Sequence, residues 1–179
     1  MKRAVWRFGL ISGAMMAATM LLTAVFMDDI GFDRGAVVGY TAMVAAFVMV
    51  FFGIRSYRDT VLSGSIKFWR AAQVGVLIAL ISSACYVATW EFVYFRMMPN
   101  FGERYAAYAV EKAKQSGATP AQQEKQRKEL VEFYAQYKNP LFNAAVTFVE
   151  PFPLGIVVAL VSAGILSRRR RDNEVTLPT

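Results

Sequence analysis

The chain has 179 residues, a formal net charge of +7, no histidine, and an apolar share of 56%. Soluble domains lie nearer roughly 45–50% apolar with about a quarter of their residues charged; here 18% are charged and mean hydropathy is +0.35. An ordinary soluble domain is therefore excluded, and a single small membrane domain is implied. The missing histidine removes Ser–His triads and Cys/His zinc sites at a stroke. Neither a P-loop, a GxGxxG motif nor a CxxC pair is present.

Four apolar segments, 8–27, 36–54, 71–95 and 141–166, each approach the ~20 residues that a helix needs to cross the hydrocarbon core. The first follows Met1-Lys2-Arg3-Ala4-Val5-Trp6-Arg7 and imitates a signal peptide. It is longer than the usual ~7–15-residue apolar region and no A-x-A site precedes Asp28, so it reads as a retained span. Gly9, Gly13 and Ala17 lie on it at four-residue spacing, a stripe that lets helix backbones approach closely. Packing within one bundle is favoured over a homodimer seam. An acidic turn, Asp28 to Gly35, leads into the second span, which ends at Gly53-Ile54 before Arg55-Ser56-Tyr57-Arg58-Asp59. Ser63-Gly64-Ser65 then supplies a turn, and Phe68-Trp69 an interfacial anchor.

The third span ends in Tyr86, Trp90, Tyr94 and Phe95, the pattern of an aromatic belt. The polar stretch 99–138 follows. Phe101, Tyr105 and Tyr108 share one helical face, and Leu130, Phe133, Tyr134 and Tyr137 share another. Gly117 separates them, and Thr119-Pro120-Ala121-Gln122 supplies an N-cap, an N1 proline and a capping-box glutamine. Two amphipathic helices packed as a hairpin are expected, with helices lying on the membrane surface as the alternative. Their balanced charge favours the solvated pair. The fourth span is broken at Asn139-Pro140 and again at Glu150-Pro151-Phe152-Pro153, which predicts a kink.

Charge orients these segments. With both termini cytoplasmic, the inner side holds eleven basic residues (Lys2, Arg3, Arg7, Arg55, Arg58, Lys67, Arg70 and Arg168 to Arg171) against three acids, Asp59, Asp172 and Glu174. The outer side holds the other nine basic residues and ten acids. This matches the positive-inside rule. The basic excess thus orients the protein and meets anionic headgroups, and nucleic acid is not an expected partner.

Glu91 and Glu150 are the only acids within or at the edge of the apolar segments. A carboxylate there costs roughly 2.5–3.5 kcal/mol on insertion scales at mid-membrane, and less near the interface. The two form a candidate intramembrane acidic site with Tyr86 and Tyr94, and Asn143 and Thr147 nearby. Such a pair shares a proton, holds a cation or takes a substrate ammonium. The structural alternative is that Glu91 reaches interfacial water while Glu150 caps the kinked helix or pairs with Arg96. Arg55 and Arg58 are candidates for headgroup binding, since the arginine fork suits phosphate; snorkelling and anchoring account for the same residues. Ser82 and Ser83 read as interhelical donors rather than nucleophiles. The lone Cys85 makes no intrachain disulfide.

Several of these residues fall into longer motifs: Gly39-Tyr40-Thr41-x-Met43, Phe52-Gly53-Ile54-Arg55-Ser56-Tyr57-Arg58-Asp59, Gly64-x-Ile66-x-Phe68, Tyr86, Trp90-Glu91, and Glu150-Pro151-Phe152-Pro153-x-Gly155. In them the chain resembles a family of uncharacterised bacterial inner-membrane proteins, classed as a domain of unknown function, whose members are short with four predicted spans. The resemblance covers nearly the whole chain. It implies that Arg55, Arg58, Asp59, Glu91 and Glu150 belong to a shared pattern, and it implies no activity.

The expected fold is all-α: an integral membrane four-helix bundle in a single membrane domain, with an extracytoplasmic helical hairpin, 99–138, between spans 3 and 4. The expected protein is non-enzymatic, without cofactor or metal, an accessory or scaffold protein of the bacterial cell envelope in the inner membrane. The alternative is a small oligomeric transporter or lipid/ion-binding protein using Glu91 and Glu150. Expected partners are the lipid bilayer, anionic headgroups at the cytoplasmic face, a protein docking through 99–138, and further copies of the chain.

Overall fold

A computed structural model describes residues 1–167; the Arg168–Arg171 cluster and its following acids lie outside the described residues. Among the described residues seven α-helices follow in order: α1 (Lys2–Val25), α2 (Met27–Val61), α3 (Phe68–Phe92), α4 (Phe101–Gln115), α5 (Pro120–Tyr137), α6 (Pro140–Val149) and α7 (Pro151–Leu166). A π-helical turn, Val93–Met97, extends α3. Among the described residues no strand is present. Four helical stretches are long and apolar enough to cross a membrane: Lys2–Val25, Met27–Val61, Phe68–Met97 and Pro140–Leu166. The protein is an all-α, multi-pass membrane protein.

α3 is the central helix, packed against α1, α2, α6 and α7. Between helices in lipid there is little hydrophobic drive, so close van der Waals contact and interhelical hydrogen bonds carry the association. Both devices are present. A Cβ placed on Gly13 would sit 2.6 Å from the Cys85 Cβ, and one on Gly9 2.9 Å from Ile81. The stripe foreseen on the first span is thus spent on α3, inside the bundle. Ser12 donates to the Ala46 carbonyl at 2.9 Å, and Ser82 to the Gly9 carbonyl at 3.2 Å, as expected of a mid-span serine. Ser83 Oγ is buried without a partner.

The acidic turn differs from the expected single loop. α1 ends at Val25, the chain turns at Phe26, and helix resumes at Met27. Gly31 then breaks it with φ 75°, backbone that favours glycine. The kink brings Phe32 against Phe101, Tyr105 and Tyr108, with ring centroids 5.7, 5.4 and 5.0 Å away.

The 99–138 stretch forms the expected two-helix hairpin, α4 packed on α5. α4 stops before Gly117 (φ 85°). The capping box at α5 is complete: Gln122 N donates to Thr119 Oγ1 at 3.3 Å, and Thr119 N to Gln122 Oε1 at 2.8 Å. Asn139 then caps α6, its Oδ1 accepting from Leu141 N at 2.9 Å. The proline break falls between Val149 and Pro151. Pro151 and Pro153 each lack an N–H, so the helical ladder is interrupted there, and Glu150 stands at the break.

Candidate functional site

The two ends of the bundle differ. At the Arg55 end, Ala46, Phe47, Val50 and Ile54 of α2 meet Val74, Ile78 and Ala79 of α3 and Ala159 and Ala163 of α7, each wholly buried. At the hairpin end α1, α2 and α3 leave an open cavity of about 310 Å³. Such a volume lies at the lower edge of small-molecule sites, roughly 300–1,000 Å³. Its lining includes methionines 16, 20, 27 and 43 and small residues such as Gly39, together with Tyr40, Tyr86, Trp90, Tyr137, Thr147 and Glu150. Phe32, Phe101 and Tyr105 cover it from the hairpin side.

Glu150 is the anchor of this site. Tyr86 donates its hydroxyl to Glu150 Oε2 at 2.9 Å. Glu150 stands at the helix break itself, as C-cap of α6 and N-cap of α7, and its side chain makes no capping hydrogen bond. Tyr40, on α2, also lines the cavity and lies within electrostatic reach of Glu150. Among the described residues Glu150 forms no salt bridge, so neither Arg96 nor another cation neutralises it.

Beside it runs a chain of hydrogen bonds. Trp90 Nε1 donates to Tyr137 Oη at 3.0 Å, and Tyr137 Oη and Thr147 Oγ1 are 2.7 Å apart. Thr147 continues to Asn143 Oδ1 at 3.2 Å, and Asn143 Nδ2 donates to the Tyr137 carbonyl at 3.2 Å. This chain ties α3, α5 and α6 together at membrane depth.

Of the residues singled out from the sequence, Tyr86 and Glu150 come together directly, and Asn143 and Thr147 join the adjacent chain. Glu91 does not line the cavity, and no hydrogen bond joins it to Glu150. Its Oε1 is buried without a partner. Tyr94 is 3% exposed and packs edge-on against Tyr137 and Phe101, at 5.2 and 6.2 Å; it belongs to the aromatic seam rather than the acid. The π-turn accounts for this: its Met98 N to Val93 O bond of 2.8 Å adds a residue to the turn, and Val93 and Tyr94 are both buried. Sequence reasoning missed Tyr40 as a site residue. Its one signal was a polar ring amid an apolar span, within Gly39-Tyr40-Thr41-x-Met43.

At the other end Arg58 Nε donates to Asp59 Oδ1 at 2.6 Å and Arg58 Nη1 reaches the Leu166 carbonyl at 3.5 Å. Arg55 lies 3.6 Å from the same Asp59. Both arginines therefore share one acid, and Arg58 also caps the end of α7.

The hairpin is strapped over the cavity by ion pairs. Arg104 pairs with Asp28, and Lys112 Nζ lies 2.5 Å from Asp33 Oδ1. The Asp33 carboxylate, helped by the Tyr108 hydroxyl, holds the Lys112 ammonium above the ordinary lysine range.

A family model described as "Protein of unknown function (DUF4199)" matches residues 7–168. The chain belongs to this family. The match spans all four membrane helices and the hairpin, so the cavity lies within the family domain. No curated protein and no solved structure matches the chain.

Proposed function

We propose that this DUF4199 member is a non-enzymatic membrane protein that holds an amphipathic molecule in the hairpin-end cavity, with Glu150 as its polar contact. The observation that carries this is one cavity of about 310 Å³ whose lining combines methionine side chains with a carboxylate and a tyrosine hydroxyl bonded to each other. An apolar body fits the first and a polar head the second. In this reading the membrane is a bacterial inner membrane with both termini cytoplasmic, for which the charge asymmetry of the sequence is the support. The cavity then belongs to the outer leaflet and the hairpin to the outside. The broken α6–α7 helix at the site is the kind of discontinuity that transporters place at binding sites. Four spans are few for a monomeric carrier, so transport would require a dimer or larger assembly.

An envelope accessory protein docking through 99–138 is less well supported. The aromatic faces of the hairpin turn inward: Tyr105 stacks on Phe101 and meets Tyr134 at 6.1 Å. What α5 offers outward is mostly charged, with Lys125, Arg127, Lys128 and Glu129 exposed beside Val131 and Phe133.

Native mass spectrometry after extraction in mild detergent tests the reading. The wild type carries a stoichiometric small molecule or lipid. Gly39→Trp loses it, because Gly39 lines the cavity and a side chain there starts in open space. Identical adducts on both proteins overturn the proposal.

A further inference from the structure

The sign and shape of the cavity narrow its occupant further, on the reading that the cavity holds an amphipathic molecule. We infer that the ligand is an organic monocation with an apolar body, such as a protonated or quaternary amine. Among the described residues Glu150 is the only charged side chain lining the cavity. No lysine or arginine lines it, so an anionic head would meet a carboxylate with nothing to offset it. Two cations of the covering hairpin are paired, Arg104 with Asp28 and Lys112 with Asp33.

The remaining polar groups fit a cation as well. Tyr86 donates to Oε2 of Glu150 and Tyr40 lies beside the same carboxylate, so the polar groups at this site are organised around an anion. Tyr40, Tyr86, Trp90, Tyr105 and Tyr137 surround the cavity with aromatic rings, whose negative π-faces attract ammonium groups. A metal ion is a poorer fit. Among the described residues no group of three or more His, Cys, Asp or Glu side chains could hold one, and methionine side chains supply no hard oxygen ligand. The apolar volume beside the single charge instead suits a carbon skeleton. Glu150 is exposed at the edge of the cavity, where a cationic head can pair with it and a neutral molecule of equal shape cannot.

The experiment compares two probes of the same shape on the full chain in lipid nanodiscs: benzyltrimethylammonium and its neutral carbon isostere, neopentylbenzene. Binding is read from Trp90 fluorescence, with Trp6 and Trp69 replaced by Phe. The wild type binds the cation about tenfold or more tighter than the isostere, a preference expected of a charge pair and π-faces together. Glu150→Gln, which keeps the shape and the Tyr86 hydrogen bond, brings the two affinities within about twofold. Glu150→Asp keeps the charge and retains a preference for the cation. Equal binding of the two probes to the wild type overturns the cation inference and leaves the amphipathic-ligand reading standing. A preference that survives in Glu150→Gln overturns the role of Glu150. Binding of neither probe overturns the cation inference, while the Gly39→Trp adduct comparison separately decides the broader reading.

Discussion

The Arg55 end and the hairpin end of this bundle are built from the same four spans on opposite principles. At the Arg55 end, backbones touch: a Cβ on Gly75 would stand 2.8 Å from the Ala159 Cβ, and one on Gly155 2.7 Å from the Ala79 Cβ. At the hairpin end the helices separate, and α4 reaches α2 through rings and ion pairs rather than backbone contact. Small residues close one end, while bulky aromatic and polar side chains prop the other open. A membrane bundle thus acquires a cavity without losing its fold, because the stabilising contacts and the cavity lie at different depths.

Substitutions that exchange the two principles test this contrast most sharply. Gly155→Val, and likewise Gly75→Val, should cost about 1–3 kcal/mol or more, since the new methyls overlap Ala79, Phe47 or Ala159 and overpacking of this kind is destabilising by that order. Gly39→Val, made in the open half, should leave the thermal midpoint in detergent nearly unchanged. Equal losses at Gly155 and Gly39 would erase the distinction between the ends.

Tyr137→Phe should come next. It removes the hydroxyl that joins Trp90 to Thr147, at about 0.5–1.5 kcal/mol for one hydrogen bond and more where a buried partner is left unsatisfied. Chemical denaturation in mixed micelles measures it, and Tyr94→Phe, whose hydroxyl enters none of these bonds, serves as the control.

The straps should matter least to global stability and most to local opening. Asp28→Asn with Asp33→Asn releases Arg104 and Lys112, and amide exchange should rise over 101–115 while α1 and α3 keep their protection. Because exposed ion pairs are screened by salt, the wild type at high ionic strength should approach the variant. Smallest of all is an acid effect on α5. Arg127 holds the Glu124 carboxyl below the ordinary glutamate range. A depressed folded value means that the contribution is present above the ordinary range and fades as pH falls through the folded value. Amide exchange in α5 should therefore quicken only in that acid window, and Arg127→Gln should remove the dependence.

Much of this could be read in the linear chain, because its causes are local. The four spans follow from apolar length, the hairpin from two aromatic faces at helical spacing, and the breaks from Gly117, Asn139-Pro140 and the Pro151/Pro153 pair. α2 and α3 extend beyond their apolar runs, since helical hydrogen bonding does not stop where hydropathy falls; Arg58 and Asp59 remain helical. Tyr86 and Glu150 were named as neighbours because consecutive spans meet and both sit toward the same end.

The pairing of Glu91 with Glu150 illustrates the opposite case. Both acids are visible in the sequence, yet helix rotation cannot be read from spans apolar on every side. In the folded chain Glu150 lines the cavity and Glu91 does not, while Tyr40 enters from a span that offered no polar stripe to orient it. The π-turn after α3 likewise has no local signature, and it shifts Tyr94 into the aromatic seam. Composition and periodicity thus determined a membrane bundle, its breaks and its hairpin, since each depends on residues near in sequence. Which side chains share the cavity was decided only by tertiary packing, because the face each span turns inward depends on contacts between residues distant in sequence.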